Sequence, residues 1–514
     1  MQNKPKNNNM IKNAVFMMAG TMLSRILGLA REIVTAAFFG ASRNMDAFNI
    51  AYTLANLARQ LLAEGALSAA FVPVFSQALE KNRTHAIKLA RGCMTVLLIL
   101  SSAVVLVGIW QAPALVKFMA PGFDIDTQNL AIGLTRLMFP FLIFISLEAL
   151  TMGELNSLGS FFVPALSPAF SNLVFIISAP FFVAYYGVYG LALSVLSGGA
   201  AHFITQWIWG IRLHAFLYPA KPNLKDPDLR RVMKLFLPYA AGLSLNQVNP
   251  VISRMLGSFL QEGSISVLNY SNRILQLPLG LFVIAISQAV LPQLSKAKAP
   301  DDFIEILRQA INFSLFVVLP ASLGVILISD QFVHLIFVRG EFNLWAWNAT
   351  SSCLIFSMLG LPGMACSTVV MRALYAMSMS KAAFNVTLFS VVSTALFSLI
   401  LIYPMGYNGL ALAPGIAFTL SSLLGLYYVR KKLAMSLKII SLRRICEYII
   451  ALSVIFISVS IFKFLWPYDP AGKLFIRVSW CAGVIIFSAV TYSITTLLLK
   501  FNEWQWLKTA FIKK

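Results

Sequence analysis

The chain of 514 residues is 59% hydrophobic and only 11% charged, whereas soluble globular proteins carry about 25% charged residues. Apolar runs of about 20 residues fill it from Asn13 to Leu499. This excludes a soluble enzyme, a disulfide-stapled secreted domain and a disordered chain, and leaves an all-α polytopic membrane protein. Lys and Arg number 40 against 19 Asp and Glu, a formal charge of +21. In a soluble protein that excess would suggest a nucleic-acid partner; here its placement beside apolar segments suits the surface of an anionic leaflet instead, and no nucleic acid is expected.

In chain order, residues 1–12 form a polar tail. The apolar stretch that follows contains arginines and lacks a small-residue cleavage site, so it reads as a retained span and not a signal peptide. Punctuation by Pro, Gly and charge predicts fourteen transmembrane helices, at 13–39, 47–77, 88–112, 129–157, 162–186, 188–211, 232–259, 265–295, 305–330, 343–371, 382–403, 408–429, 445–466 and 475–499. With the N-terminus inside, most basic loop residues fall on the cytoplasmic side, in clusters such as Lys81–Arg91, Arg212–Lys234, Arg430–Arg444 and Lys500–Lys514. The outer loops hold only Arg43, Lys117, Arg339, Lys463, Lys473 and Arg477. Both termini are therefore expected in the cytoplasm.

An internal repeat is visible. The stretch Ala70–Gln77 (AFVPVFSQ) resembles Ala289–Lys296 (AVLPQLSK), 219 residues further on, and at the same offset Leu155 meets Leu374 and Asn13 meets Val232. The expected organisation is an N-terminal six-helix lobe at 13–211, a cytoplasmic linker at 212–231 and a C-terminal six-helix lobe at 232–429. A cytoplasmic loop at 430–444, helices thirteen and fourteen at 445–499 and a tail at 500–514 complete it. Six spans per repeat is even, so both halves enter from the same side, related by a pseudo-two-fold axis along the membrane normal as in alternating-access transporters.

The basic residues left inside spans are Arg25, Arg31, Arg59, Arg136, Arg254 and Arg273, all arginine. Each costs about 2.5–3.5 kcal/mol at a helix centre on insertion scales, so carboxylates, a wet cavity or an anionic ligand must offset them. The clear in-span carboxylates are Glu32, Glu64, Glu148 and Glu154. Arg25 and Glu32, seven apart, are separated by about 700° of helical rotation and share nearly one face; Arg59 and Glu64 lie about 140° apart and are poorly placed to pair. A planar guanidinium offers forked donors and stays ionised in a poor dielectric. Several of them around a cavity read as a site for a phosphate-type anion. Gly28, Gly65 and Pro278 sit beside these charges as candidate flex points.

Other chemistry is sparse. The cysteines Cys93, Cys353, Cys366, Cys446 and Cys481 form no CxxC pair and read as small apolar residues, with no metal or disulfide expected. His85, His202, His214 and His334 are scattered and read as incidental or interfacial. Asp226 and Asp228 sit in a KDPD stretch that reads as a solvated connector. No catalytic base or nucleophile and no cofactor are expected. A drug extruder for cationic compounds would favour carboxylates in its cavity, and a polyprenyl-phosphate enzyme would present acidic metal ligands at one membrane face.

The run Ser24-Arg25-Ile26-Leu27-Gly28-Leu29-Ala30-Arg31-Glu32, then Phe39-Gly40-Ala41, Asp46-Ala47-Phe48, Asn56-Leu57-Ala58-Arg59 and Ala63-Glu64-Gly65 through Val72-Pro73 resembles the MurJ (MviN) family. So does Asn272-Arg273 followed by Leu277-Pro278 and Leu291-Pro292 in the second half. The resemblance implies a lipid II flippase of the MOP exporter superfamily in the bacterial inner membrane, with two bundles around a cationic cavity. It implies that Arg25, Arg31, Arg59 and Arg273 face the substrate's pyrophosphate, that Asp46 and Glu64 support the gate or cavity, and that helices thirteen and fourteen form a groove for the polyprenyl tail. The implied partners are lipid II (an undecaprenyl-pyrophosphate-linked disaccharide-pentapeptide), membrane lipids and the cell-wall synthesis machinery. An O-antigen lipid flippase of the same superfamily would also handle a lipid pyrophosphate. The chain departs from the family pattern at Glu32, where Asp is common, and at Asn272 and Gln276, where acidic residues occur in some relatives. The lack of Asp and Glu in spans seven, eleven and twelve puts a carboxylate-based sodium site in doubt.

Overall fold

The computed structural model describes residues 6–62, 66–213, 215, 217–244, 247–435 and 439–506. Among them every regular element is a helix. By its internal contacts the chain divides into two units, Met1–Gly263 and Ser264–Lys514.

The first unit holds α1 (Lys6–Phe39), α2 (Arg43–Leu62), α3 (Ala66–Lys81), α4 (Arg83–Trp110), α5 (Ala112–Met119), α6 (Ile125–Met138), α7 (Phe141–Ser157), α8 (Phe162–Tyr186), α9 (Val188–Arg212), α10 (Pro227–Ser244) and α11 (Val248–Gly257). The second begins with α12 (Ser264–Pro278), a π-type turn at Leu279–Val283 and α13 (Ile284–Lys296). It continues through α14 (Pro300–Leu327), α15 (Ser329–Phe337), α16 (Leu344–Leu359), α17 (Leu361–Ala376), α18 (Ser380–Met405), α19 (Tyr407–Leu433), α20 (Leu442–Leu465) and α21 (Leu474–Leu498).

Among the described residues 10 helical segments are long and apolar enough to cross a membrane, or 11 if α16 and α17, bent by 40° at their junction, form one span. The other predicted spans, 13–39, 47–77 and 232–259, fall on α1, on α2 with α3, and on α10 with α11. These are helical but interrupted by charge and by short stretches outside the described residues, 63–65 and 245–246. Two short helices, α5 and α15, were not separable in the sequence from the apolar spans they follow.

The 219-residue offset recurs in the backbone. Gly187 between α8 and α9 has φ 56° and ψ −134°; Gly406 between α18 and α19 has φ 56° and ψ −131°. Both angles lie in a region open essentially to glycine alone. The hairpins α8–α9 and α18–α19 are the two most extensively packed helix pairs. Lipid tails are as apolar as leucine, so such pairs are held by close packing and not by exclusion of water. Where α16 and α17 meet α19, Gly360 and Gly415 touch backbone to backbone; a Cβ on Gly415 would lie 2.3 Å from the Gly360 Cα.

In the second unit α20 and α21 dock on α14 through polar ends of aromatic side chains. The Tyr448 hydroxyl donates to the Asn312 carbonyl (3.0 Å) and the Tyr492 hydroxyl to the Phe316 carbonyl (2.7 Å). Both carbonyls lie within the α14 ladder, so the tyrosines use the second lone pair of each oxygen.

Candidate functional site

Among the N-terminal arginines, Arg31 faces rings of both α2 and α8. Arg31 is on α1, its side chain 18% exposed, with Nη2 3.0 Å from Oε1 of the buried Glu32. Its guanidinium carbon is 5.5 Å from the ring centroids of Tyr52 on α2 and of Phe175 on α8. A carboxylate at one edge and aromatic rings on two neighbouring helices fix a cation in a poor dielectric; each such ring contact is worth about 0.5–2 kcal/mol. The Thr35 hydroxyl donates to the Arg31 carbonyl (2.8 Å), closing the same turn of α1.

Arg25 lies two turns earlier and is exposed. Among the described residues it holds no ion pair. Glu32 pairs instead with the adjacent Arg31, while Arg25, on nearly the same helical face, stays exposed. Next to Arg25, the Ser24 carbonyl accepts from Asn172 Nδ2 (3.2 Å), and a Cβ on Gly28 would meet the same amide at 3.6 Å. Gly28 thus lies against α8 at the point where the helices touch.

On α2, Arg59 is half-buried and its Nε donates to Asn56 Oδ1 (2.8 Å). Asp46, 3% exposed, accepts the backbone N–H of Gly263 on Oδ2 (2.7 Å), tying the start of α2 to the turn that closes the first unit. Arg43 reaches Asp124 (3.2 Å) and Asp126 (3.6 Å) at the start of α6. Glu64 and Gly65 lie outside the described residues.

Arg273 belongs to the second unit, half-buried on α12 with Asn272 and Gln276 exposed on either side. Pro278 ends that helix, and the π turn follows at once. Proline has no N–H to give the preceding turn, and the backbone widens there to an i→i+5 pattern. Pro278, a candidate flex point in the sequence, thus stands at a π turn within a long helical segment.

Three sequence readings are corrected by long-range partners. His85 is not incidental: its Nε2 lies 3.1 Å from Asp228 and 4.0 Å from Asp226. The KDPD stretch, with Lys225 and Pro227 exposed, is a connector that also starts a helix. Asp226 caps α10, its Oδ1 accepting from the Asp228 N–H (2.9 Å), with Pro227 at the first helical position. The segment before it is strapped to α4: Thr95 exchanges hydrogen bonds with the Ala220 carbonyl (2.7 Å) and N–H (2.9 Å), and Arg91 donates to the Tyr218 hydroxyl (2.8 Å). His334 also has a partner, with Nδ1 2.8 Å from the Tyr468 hydroxyl; His214 is outside the described residues.

His202 is the third correction. On α9, it lies 3.3 Å from Glu148 Oε1 on α7, beside Gln206, whose Nε2 reaches Glu148 (2.6 Å) and Ser167 of α8 (2.7 Å). The i,i+4 pair His202–Gln206 in an apolar helix is the sequence signal for it; its partner Glu148, 54 residues earlier, could not be assigned from sequence alone.

These features define a multi-pass, all-helical membrane protein with the fold of MOP-type exporters. An inward-facing multidrug-resistance MATE transporter of the MOP superfamily superposes with a TM-score of 0.68 at 17% identity, covering 82% of this chain and 98% of that one. The solved structure described as the lipid II flippase MurJ in an inward closed conformation superposes with a TM-score of 0.78 at 27% identity, covering 94% of this chain and 98% of that chain. The sequence profile described as lipid II flippase MurJ matches residues 35–477, and a probable lipid II flippase MurJ from Treponema pallidum is 32% identical over 429 residues, 80% of this chain and 79% of that protein. The chain belongs to the MurJ family of bacterial membrane proteins.

Proposed function

We propose that the protein flips lipid II, the lipid-linked peptidoglycan precursor, from the cytoplasmic to the outer leaflet of the inner membrane by alternating access, and so serves cell-wall biogenesis and cell shape. The observation that carries this reading is membership of the flippase family together with Arg31, held among Glu32, Tyr52 and Phe175 inside an apolar helix bundle. The protein is a transporter and not an enzyme: no bond is made or broken, and no catalytic base is needed.

In this reading the fourteen predicted spans form two six-helix lobes plus helices thirteen and fourteen, with both termini cytoplasmic. Arg25, Arg31, Arg59 and Arg273 engage the pyrophosphate through charge-assisted, forked hydrogen bonds. Neutralising those cations lowers the cost of bringing the lobes together on the cytoplasmic side. Asp46 and Glu64 support the gate, Gly28 and Pro278 supply flexibility, and the polyprenyl tail stays in the bilayer along a groove of the last two helices. The cell-wall synthesis machinery is the expected neighbour.

The test is complementation in cells depleted of their own flippase, with lipid II accessibility at the outer surface as the direct readout. Alanine at position 25, 31, 59 or 273 should abolish both while the protein still inserts. A hydrogen bond to a charged group is worth about 1.5–3 kcal/mol, or roughly 10- to 150-fold in binding. Arg→Lys should rescue poorly, since a point charge lacks the fork. Normal growth of all four alanine variants ends the proposal.

A further inference from the structure

Inside the first unit is a polar cluster that phosphate recognition does not use. Glu148 of α7 is 5% exposed and Gln206 of α9 is fully buried, as is Ser167 of α8. Glu148 Oε1 receives Gln206 Nε2 at 2.6 Å and faces His202 Nε2 at 3.3 Å, while the same Gln206 nitrogen lies 2.7 Å from Ser167 Oγ. Gln206 Oε1 is buried with no hydrogen-bond partner among the described residues. A carboxylate and an imidazole inside a membrane bundle are costly enough to mark function by default.

The groups around Glu148 identify the ligand class. A metal cation needs converging oxygens, yet here an amide N–H and an imidazole nitrogen face the carboxylate. Such a pair can share one proton, as carboxylate with imidazolium or as carboxylic acid with neutral imidazole; both states are neutral overall. Losing that proton leaves a net charge of −1, held by the Gln206 N–H. If the proton moves onto Glu148, a half-turn of the Gln206 amide lets the idle Oε1 accept it. The Gln206 amide thus offers Glu148 a matching group in either protonation state, and His202 Nε2 stands within ion-pair distance of the carboxylate, outside hydrogen-bond geometry.

We propose that Glu148 and His202, arranged by Gln206 and Ser167, form a buried proton-exchange site that binds one proton and ties its occupancy to the packing of α7, α8 and α9. That this proton is exchanged during transport rests on the flippase reading; the site itself does not. The other titratable or charged groups on the helices packed around α7 and α9 are Glu154 on α7 itself, Tyr189 and Arg212 near the ends of α9, Tyr185 and Tyr186 at the end of α8, Arg43, Asp46, Tyr52 and Arg59 on α2, Glu80 and Lys81 on α3, Arg83, His85, Lys88, Arg91 and Cys93 on α4, and Asp126 and Arg136 on α6. Of these Arg91 lies on the Glu154 side of α7.

The test uses the full-length protein in lipid nanodiscs and a hydrophobic carbodiimide, which adds a protonated carboxyl group across its C=N bond and takes the acid's proton on nitrogen. Modification of Glu148 is read by mass spectrometry between about pH 5 and pH 9, and proton uptake on a pH jump is counted with an indicator dye. Glu148 labelling should fall roughly tenfold per pH unit above its midpoint, and His202→Gln should move that midpoint. The wild type should take up one more proton per chain than the double variant Glu148→Gln, His202→Gln. A Glu148 label that is absent or flat with pH, a midpoint unmoved in His202→Gln, or equal proton uptake by wild type and the double variant Glu148→Gln, His202→Gln overturns the proposal. If the protein moves no lipid II while the labelling curve stands, the transport reading fails and the proton site survives.

Discussion

At the residue scale, the described charges include some that brace the fold. Asp124 braces. It caps α6, accepting from the Asp126 and Thr127 N–H groups, the Thr127 hydroxyl and Arg43. The Thr127 hydroxyl foremost, then the backbone N–H groups and Arg43, hold its carboxyl below the usual range, against a smaller opposing effect of desolvation. A carboxyl depressed in the folded state adds stability that is present above its unfolded value, near 4, and is lost as pH falls through the lower folded value. Hydrogen exchange at the amides of 126–128 should therefore keep its protection at neutral pH and lose it below about pH 4. Asp124→Asn, which keeps the cap and drops the charge, should show a weaker pH response. Equal profiles would mean that the charge contributes nothing.

That these arginines stand out was legible at this scale, because a guanidinium in an apolar helix is anomalous by itself. Their partners were not. Glu32 is adjacent to Arg31, but rotation about the helix axis favoured Arg25, and the direction each side chain takes is not given by periodicity. The histidines were misread for a related reason: His85 meets Asp228 143 residues later and His202 meets Glu148 across two helices. Distances of that kind are set by tertiary packing, to which a single sequence gives no periodic clue.

At the scale of elements, punctuation and periodicity placed the long helices well, since Pro, Gly and charge interrupt hydrocarbon-length runs wherever the chain turns. They failed where a turn keeps its apolar character, as at α5 and α15. The repeat gives this scale its sharpest test. Gly187 and Gly406 hold the same mirror-image backbone conformation, and a Cβ at either would meet nothing within 4 Å. Substitution there is penalised by strain alone, about 1–3 kcal/mol. Gly187→Ala and Gly406→Ala should thus lower the thermal midpoint in detergent by similar amounts. Gly415→Ala differs in kind, because its Cβ would strike the Gly360 backbone at 2.3 Å and must spread two helices. It should lower the midpoint further than either turn variant. A Gly415→Ala protein as stable as the wild type would show that the contact is not required.

At the scale of the whole molecule, the distribution of charge predicts orientation. Arg430, Lys431 and Lys432 end α19, and Arg443 and Arg444 begin α20. Their density at one end of these helices, against the sparse Lys463 and Lys473 at the other, places that end in the cytoplasm under the positive-inside rule. The chain carries its own reporter there. Cys446, in the first turns of α20, is the one exposed cysteine; Cys93, Cys353 and Cys481 are buried and Cys366 is half-buried. A membrane-impermeant maleimide should therefore label Cys446 in inside-out vesicles and not in intact cells whose outer barrier has been opened. Asp469→Cys, in the exposed turn between α20 and α21, should show the reverse. Labelling of Cys446 from outside would invert the cytoplasmic ends, and with them the direction in which an arginine-lined cavity could load its substrate.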